Sequence, residues 1–326
     1  MLLLLSLVCC FTAGNTAVAS ETTPYATSSP PDSLRRFEYT HPQMGTVFRL
    51  IFYTEKDSMQ AAGIARLVFD RVDALNASMS DYLPDSELNR LCATAGSGRP
   101  VAVSDDLWEV LRWSVEFSRK SEGAFDVSIG PLTRLWRRAR NLKEAPDSAR
   151  VEEARALTDY RNIELRHGKT VVLKKTGMRL DLGGIAQGYA ADVCLKMLKQ
   201  NGIRRALADA GGDIAIGEPP PGKKGWEIAL PTPRDSLPPV TLQLARCGIT
   251  TSGATWRYLE INGRRYSHII DPRSGWGLTH RVMVTVQAPD AMSADAWATA
   301  CSVMGQYGWS RLKVRPKRLK IRWLEY

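Results

Sequence analysis

Asp295 and Thr299 stand four residues apart in MSADAWATACSVMG, residues 292–305, so a helix would set their oxygens on one side. The rest of that segment is small or apolar, the composition of a packed helix, where an unpartnered carboxylate is costly. Two uses of the pair are open. In the commoner one, the threonine bonds the carbonyl one turn back and the aspartate serves a helix N-terminus. In the other, both oxygens serve a hard divalent cation.

Three more acids lie beside glycine turns: Asp181 in LDLGGIAQG, Asp213 in ADAGGDIAIG and Asp271 in HIIDPRSGWG. Glycine lets a backbone approach a ligand and present its N–H or C=O groups. One such turn is an ordinary bend; three, each following a strand, point to a shared site. The glycines do not form a dinucleotide fingerprint, and the Walker lysine and the GxSxG serine are missing. With four histidines and no CxxC pair, zinc and iron–sulfur chemistry lack support. Cys92, Cys194, Cys247 and Cys301 are scattered among apolar or small neighbours and read as buried hydrophobes.

The formal charge of +10 concentrates in TRLWRRARNLK and RLKVRPKRLKIR. Neither tract accompanies a recognition helix or an aromatic platform, so a solvated basic face is expected and no nucleic acid. MLLLLSLVCC is too short to span a bilayer, and Ala17-Val18-Ala19 follows it as a cleavage signature. Residues 1–19 are therefore expected to be an export signal, and the polar, Pro-rich residues 20–35 a flexible lead-in. Lipid anchoring at Cys9 or Cys10 would lack a good small-residue recognition box. Residues 36–326 remain for the globular part, as one large domain or two interlocked lobes.

Elements must hold these residues. RRFEYTHPQMGTVFRLIFYT reads as two strand segments broken at Pro42. Ile64, Leu67, Val68, Val72 and Leu75 recur at helical spacing. Ser104 can cap a helix over DDLWEVLRWSVEFSRK, and a shorter helix follows Pro146. RNIELRHGKTVVLKKTGMRLDL supplies strands, and AQGYAADVCLKMLKQNG is a helix ended by Asn201-Gly202. Hairpin-rich strands follow, with Asn262-Gly263 as a turn, then the Asp295 helix and a terminal strand in RLKIRWLEY. The mix is α+β.

HPQMGT, MSDYLPDSEL, SEGAFDVSIGPLTRLW, LDLGGIAQGYAAD, DAGGDIAIG, TTSG, YSHIIDPRSG and SADAWATACSVMG, in that order, resemble the FAD:protein FMN transferase family, also called ApbE-like proteins. The resemblance runs from about Met44 to Gly305. It implies interlocked α/β lobes with mixed or antiparallel sheets, an ApbE-like (T-fold-like) architecture. It also implies Mg2+-dependent transfer of FMN from FAD to a threonine of an acceptor protein. By that resemblance Asp295, Thr299 and the Gly184 carbonyl would bind the metal. Met44, Tyr82, Ala124, Phe125, Asp126, Asp181, Gln187 and Ile269 would contact FAD, and Asp213 would hold the nucleotide or shape its turn. His268 and Asp271 would sit at the phosphate being transferred.

The chain departs from the family in carrying Gln187 where lysine is frequent, and Trp297 between the metal ligands. At i+2, Trp297 should point away from them and pack. The implied acceptor bears a Ser/Thr-Gly-Ala-Thr-like motif on an exported or membrane-bound electron-transfer protein. The chain's own Ser252-Gly253-Ala254-Thr255 falls in the TTSG turn and reads as groove wall. Hydrolysis of FAD to FMN and AMP, or flavin binding without catalysis, are the alternatives.

Overall fold

The computed structural model describes residues 34–232, 240–253, 258–261 and 263–326. The expected export signal, nearly all of the lead-in, Ala254, Thr255 and Asn262 lie outside the described residues. Strands β1 (Arg35–Gln43) and β2 (Thr46–Thr54) form a hairpin whose register runs from Arg35–Thr54 to Gln43–Thr46. The expected break at Pro42 is absent: β1 passes through it. Because β1 is the first strand of its sheet, a missing N–H on its open side is tolerated. The chain reverses instead at Met44 and Gly45, both at positive φ (53° and 72°).

Helix α1 (Ser58–Met79) starts with a capping box between Asp57 and Gln60. Then come α2 (Glu87–Cys92), β3 (Val101–Ala102) and α3 (Asp105–Lys120), with Ser86 and Ser104 capping the two helices. Next are α4 (Gly130–Leu142) and α5 (Ser148–Ala156). Helix α4 is the basic tract around residues 133–143. Its Leu132, Trp136 and Ala139 are buried at helical spacing, while its cations fill the remaining faces.

Strands β4 (Ile163–Arg166) and β5 (Thr170–Leu173) pair, and β3 adds to β5. After α6 (Ala186–Gln200), β6 (Ala206–Ala210) and β7 (Asp213–Ile216) are joined by Gly211 and Gly212 at φ 73° and 107°. Strands β8 (Trp226–Leu230) and β9 (Val240–Leu244) form a hairpin, followed by β10 (Cys247–Gly253). A second hairpin holds β11 (Tyr258–Ile261) and β12 (Arg264–Ser267). Strand β13 (Val282–Ala288), α7 (Ala291–Arg311) and β14 (Lys320–Glu325) complete the chain.

The main sheet has seven strands in the order β1-β2-β6-β7-β10-β13-β14, every neighbouring pair antiparallel. Alternation sorts its faces. Phe48, Leu50 and Phe52 join the core beneath α1, α6 and α7. Leu207, Ile216 and Ile249 pack with Trp226 and Ile228 of the β8–β9 hairpin in a second cluster. All four described cysteines are free and buried, as their apolar settings predict.

Small residues let α7 lie directly on β10 and α6. A Cβ built on Gly248 would sit 2.2 Å from Ala291 N, and one on Gly188 would sit 2.4 Å from Ala291 O. At the N-terminus of α7, Asp290 accepts from Ser293 N at 2.7 Å. The Asp192 carboxylate of α6 accepts from Ala291 N and Met292 N, both at 2.9 Å. Gly305, at φ 65°, divides α7 into two helical segments.

Candidate functional site

The α6–α7 contact places the acid–hydroxyl pair against a glycine turn. Asp295 is 5 % exposed, and its Oδ2 accepts a long 3.4 Å bond from Gly188 N in the first turn of α6. One turn along α7, Thr299 faces the LDLGG turn: a Cβ on Gly184 would lie 3.0 Å from Thr299 Oγ1 and 3.4 Å from Phe125 Cε2. Gly184 and Thr299 are thus neighbours because position 184 lacks a side chain.

Asp213 completes the set. It opens β7 just after the paired glycines and is 8 % exposed. Burial pushes its carboxyl up to about 7, with Asp209 adding to the shift and Thr250 opposing it. Burial first, and then the charge of Asp213, hold the Asp295 carboxyl well above the ordinary carboxylate range. Thr250, opposite Asp213 in the β7–β10 ladder, has its hydroxyl buried without a hydrogen bond of good geometry. Two buried, mutually repelling carboxylates with so few donors are a poor way to stabilise a fold. With Thr299 beside the Gly184 backbone, these residue types would offer an all-oxygen set suited to a hard cation. Among the described residues no group of three or more His, Cys, Asp or Glu side chains could hold a metal ion, so a cation here would draw on hydroxyl and backbone oxygens as well as carboxylates.

Other expected residues gather at the same turn. Gln187 Nε2 donates to the Met44 carbonyl at 3.0 Å, joining α6 to the β1–β2 reversal. Asp181 Oδ1 accepts from Gly183 N at 2.8 Å and ties down the glycine turn. Phe125 is buried, edge-on to Phe117 at 6.4 Å, with its own edge toward Gly184. Ala124 and Ile269 meet in one small apolar cluster with Val303. Trp297 is 2 % exposed and packs edge-on to Phe117 and Trp309, away from the ligand pair as its i+2 position predicts.

Two expected contacts have local work. Asp126 accepts from Ser128 N (2.8 Å), Ser128 Oγ (2.6 Å) and Tyr160 N (3.0 Å), so its carboxylate braces its own loop. Asp271 accepts from Arg273 N, Nε and Nη2, each at 2.9 Å, closing the DPRSG turn. His268 is solvent-exposed beside that turn, between β12 and the buried Ile269. An open groove of about 1470 Å3 has Asp271, Leu278, Val303 and Met304 in its wall, but not Asp295, Thr299 or Gly184.

Sequence reasoning missed Arg137, Asp81 and Asp192. Arg137 of α4 bonds Asp181 Oδ2 at 2.9 Å, pairs with Asp81, and stacks its guanidinium 4.1 Å from the centroid of the Tyr82 ring. Tyr82 is otherwise 73 % exposed. The preceding residue, Trp136, donates from Nε1 to the Gly275 carbonyl at 2.9 Å, so α4 also holds the Asp271 turn. Asp81 adjoins Tyr82 within MSDYLPDSEL, a segment singled out by resemblance, but Arg137 carries no local sign of its partners.

Comparison with known proteins adds a family. A model of the ApbE family matches residues 44–322. A protein of Treponema pallidum (strain Nichols) named FAD:protein FMN transferase is 33% identical over 287 residues, spanning 82% of this chain and 79% of that one. A protein of the same name from Klebsiella pneumoniae (strain 342) is 32% identical over 270 residues, spanning 80% and 77%. Among solved structures, a variant of the flavin transferase ApbE from Vibrio cholerae superimposes with a TM-score of 0.77 at 28% identity, covering 88% of this chain and 97% of that one. The apo flavinyl transferase ApbE of Pseudomonas stutzeri also gives 0.77, at 27% identity, covering 90% and 95%.

Proposed function

The chain belongs to the ApbE family, and from that membership we propose that it is a FAD:protein FMN transferase acting on a threonine hydroxyl of an acceptor protein, with magnesium, and releasing AMP. The observation that carries the metal dependence is the buried Asp213–Asp295 pair beside Thr299 and Gly184, an arrangement the fold does not need for its own stability. Asp295, Thr299 and the Gly184 carbonyl, with Asp213 close by, would hold the ion, which supplies charge neutralisation to a diphosphate.

The remaining work belongs to the protein. The threonine oxygen forms a bond to the phosphorus that carries riboflavin, the bridging P–O bond breaks, and AMP leaves with that bond's electrons. His268, exposed beside the Asp271 turn, is the base for the hydroxyl proton. Asp271, clamped by Arg273, shapes the turn that presents the histidine. Tyr82 offers an open aromatic face to the flavin. The groove lined by Asp271 exceeds roughly 1,000 Å3, the upper range for small-ligand pockets, and leaves room for an acceptor segment beside the nucleotide.

The export signal expected over residues 1–19 supports a location outside the cytoplasm, in the periplasm or at the inner membrane, where exported electron-transfer proteins would be the acceptors. Among the described residues no helix is long and apolar enough to cross a membrane.

The test uses purified protein, FAD, magnesium and an acceptor carrying a Ser/Thr-Gly-Ala-Thr segment. The acceptor should gain the mass of an FMN phosphoester and release one AMP per modification. D295N should lose at least about a hundredfold in rate, the scale of losing a metal's electrostatic contribution, while keeping its melting temperature. Transfer by D295N at the parent rate with the parent's magnesium dependence would sink the ligand assignment. AMP release that the acceptor neither captures nor accelerates would favour hydrolysis.

A further inference from the structure

Arg137 lies where three separate pieces of the site meet. Its Nη2 holds Asp181, whose other oxygen holds Gly183 N, one residue before the Gly184 carbonyl. Its Nη1 holds Asp81, the residue before Tyr82. Its guanidinium plane covers one face of the Tyr82 ring and leaves the rest of that residue to solvent. An arginine fork is rigid and planar, so these three contacts share one geometry. The side chains are not ordinary surface pairs: Asp181 is 8 %, Asp81 14 % and Arg137 24 % exposed. Burial, and after it the charge of Asp181, push the Asp81 carboxyl upward, so the two acids tolerate each other through the arginine between them.

We propose that Arg137 is a positioning residue that sets the Tyr82 ring and the Asp181-held glycine turn in one register, aligning the flavin-stacking face with the metal-facing carbonyl. In this role it acts through Tyr82 and Asp181 rather than on flavin or phosphate directly. It fixes how far the ring platform stands from the turn, and hence whether one dinucleotide reaches both. The inference rests on the flavin-transfer reading of the site. It predicts that ring contact and magnesium requirement are coupled through this one side chain.

The experiment compares the parent with R137K, R137M and D81L/R137M, which removes one of the two acids that R137M would strand and leaves Asp181 its bond from Gly183 N. Each is measured for melting temperature, quenching of flavin fluorescence on FAD binding, and FAD and magnesium dependence of transfer. R137K keeps a charge but loses the fork, and should raise the KM for FAD about tenfold, the magnesium requirement rising with it. R137M should do more, and D81L/R137M should regain thermal stability without regaining either dependence. Quenching should weaken in all three, because the ring no longer presents a fixed face.

A double-mutant cycle with Y82A isolates the link. The loss of FAD affinity caused by R137M should largely vanish when Tyr82 is already gone. Additive effects in that cycle, or variants that lose melting temperature while the KM for FAD, magnesium requirement and quenching stay at parent values, would overturn the proposal. A parent protein that neither transfers FMN nor releases AMP would instead overturn the flavin-transfer reading, so the two failures are distinguishable.

Discussion

At Asp295 and Asp213 the environment penalises negative charge, and that makes the pair responsive to a cation. Gly184 is the matching absence on the opposite wall. G184A sets a methyl 3.0 Å from Thr299 Oγ1 and 3.4 Å from Phe125. Since φ at 184 is not in the left-handed region, the change should leave the backbone unstrained. Half-maximal activity should then need roughly tenfold more magnesium, the low end for disturbed ligand support, with little change in melting temperature. Parent-like magnesium titration of G184A would count against an ion held between Thr299 and this turn. Asp192 allows a separate test away from the ligands. Its carboxyl is pushed up to about 7, chiefly by burial, although it accepts from two α7 amides. The folded state therefore holds this proton more tightly than the unfolded chain, whose value is near 3.8. Stability from this group is fullest below about pH 4 and declines as pH rises through about 7. D192N is uncharged throughout, so the parent's advantage in melting temperature over D192N should shrink between pH 5 and pH 8. A constant gap would contradict the shift.

Helices α6 and α7 could be read from periodicity and composition, and so could their closeness in part, because alanine and glycine recur along both. The consequence is an interface without slack. G248A places a methyl 2.2 Å from the backbone of Ala291, which a rigid helix start cannot relieve by rotamer change. It should destabilise the protein by about 2–3 kcal/mol, at the upper end of ordinary overpacking, as read by chemical denaturation. A neutral G248A would mean that α7 can shift away from β10. The run of β1 through Pro42 was illegible for a different reason: a proline is tolerated or not according to whether its strand lies at an edge, which is decided by strands far along the chain. Helix α4 was hidden by its four arginines, which mask a narrow apolar stripe. The Arg137 contacts, 44 and 56 positions away, and the Asp192 cap, 99 and 100 positions away, have no period to betray them. Conversely, the Asp295–Thr299 pairing and the glycine turns were visible because the chemistry sits within one helical turn or one bend.

For the molecule as a whole, the site draws on α6, α7, β7 and the turns after β1 and before α6, so ligand binding should be felt by the entire cooperative unit. A ligand at a hundred times its dissociation constant adds about 2.7 kcal/mol to folding stability. FAD and magnesium together should raise the melting temperature by more than the sum of their separate shifts, since each neutralises charge the other brings. In D295N the magnesium increment should disappear while an FAD increment remains. Strictly additive shifts in the parent would separate the two ligands into independent sites.

The sheet also has two open ends. Strand β1 closes one with Pro42 and the charged Arg35, Arg36 and Glu38; β14 closes the other with Lys320, Arg322 and Glu325. Neither border invites a passing strand from another copy, because one lacks a donor at Pro42 and both carry charged side chains. A chain whose relatives are named for acting on other proteins thereby blunts the commonest way two chains recognise each other.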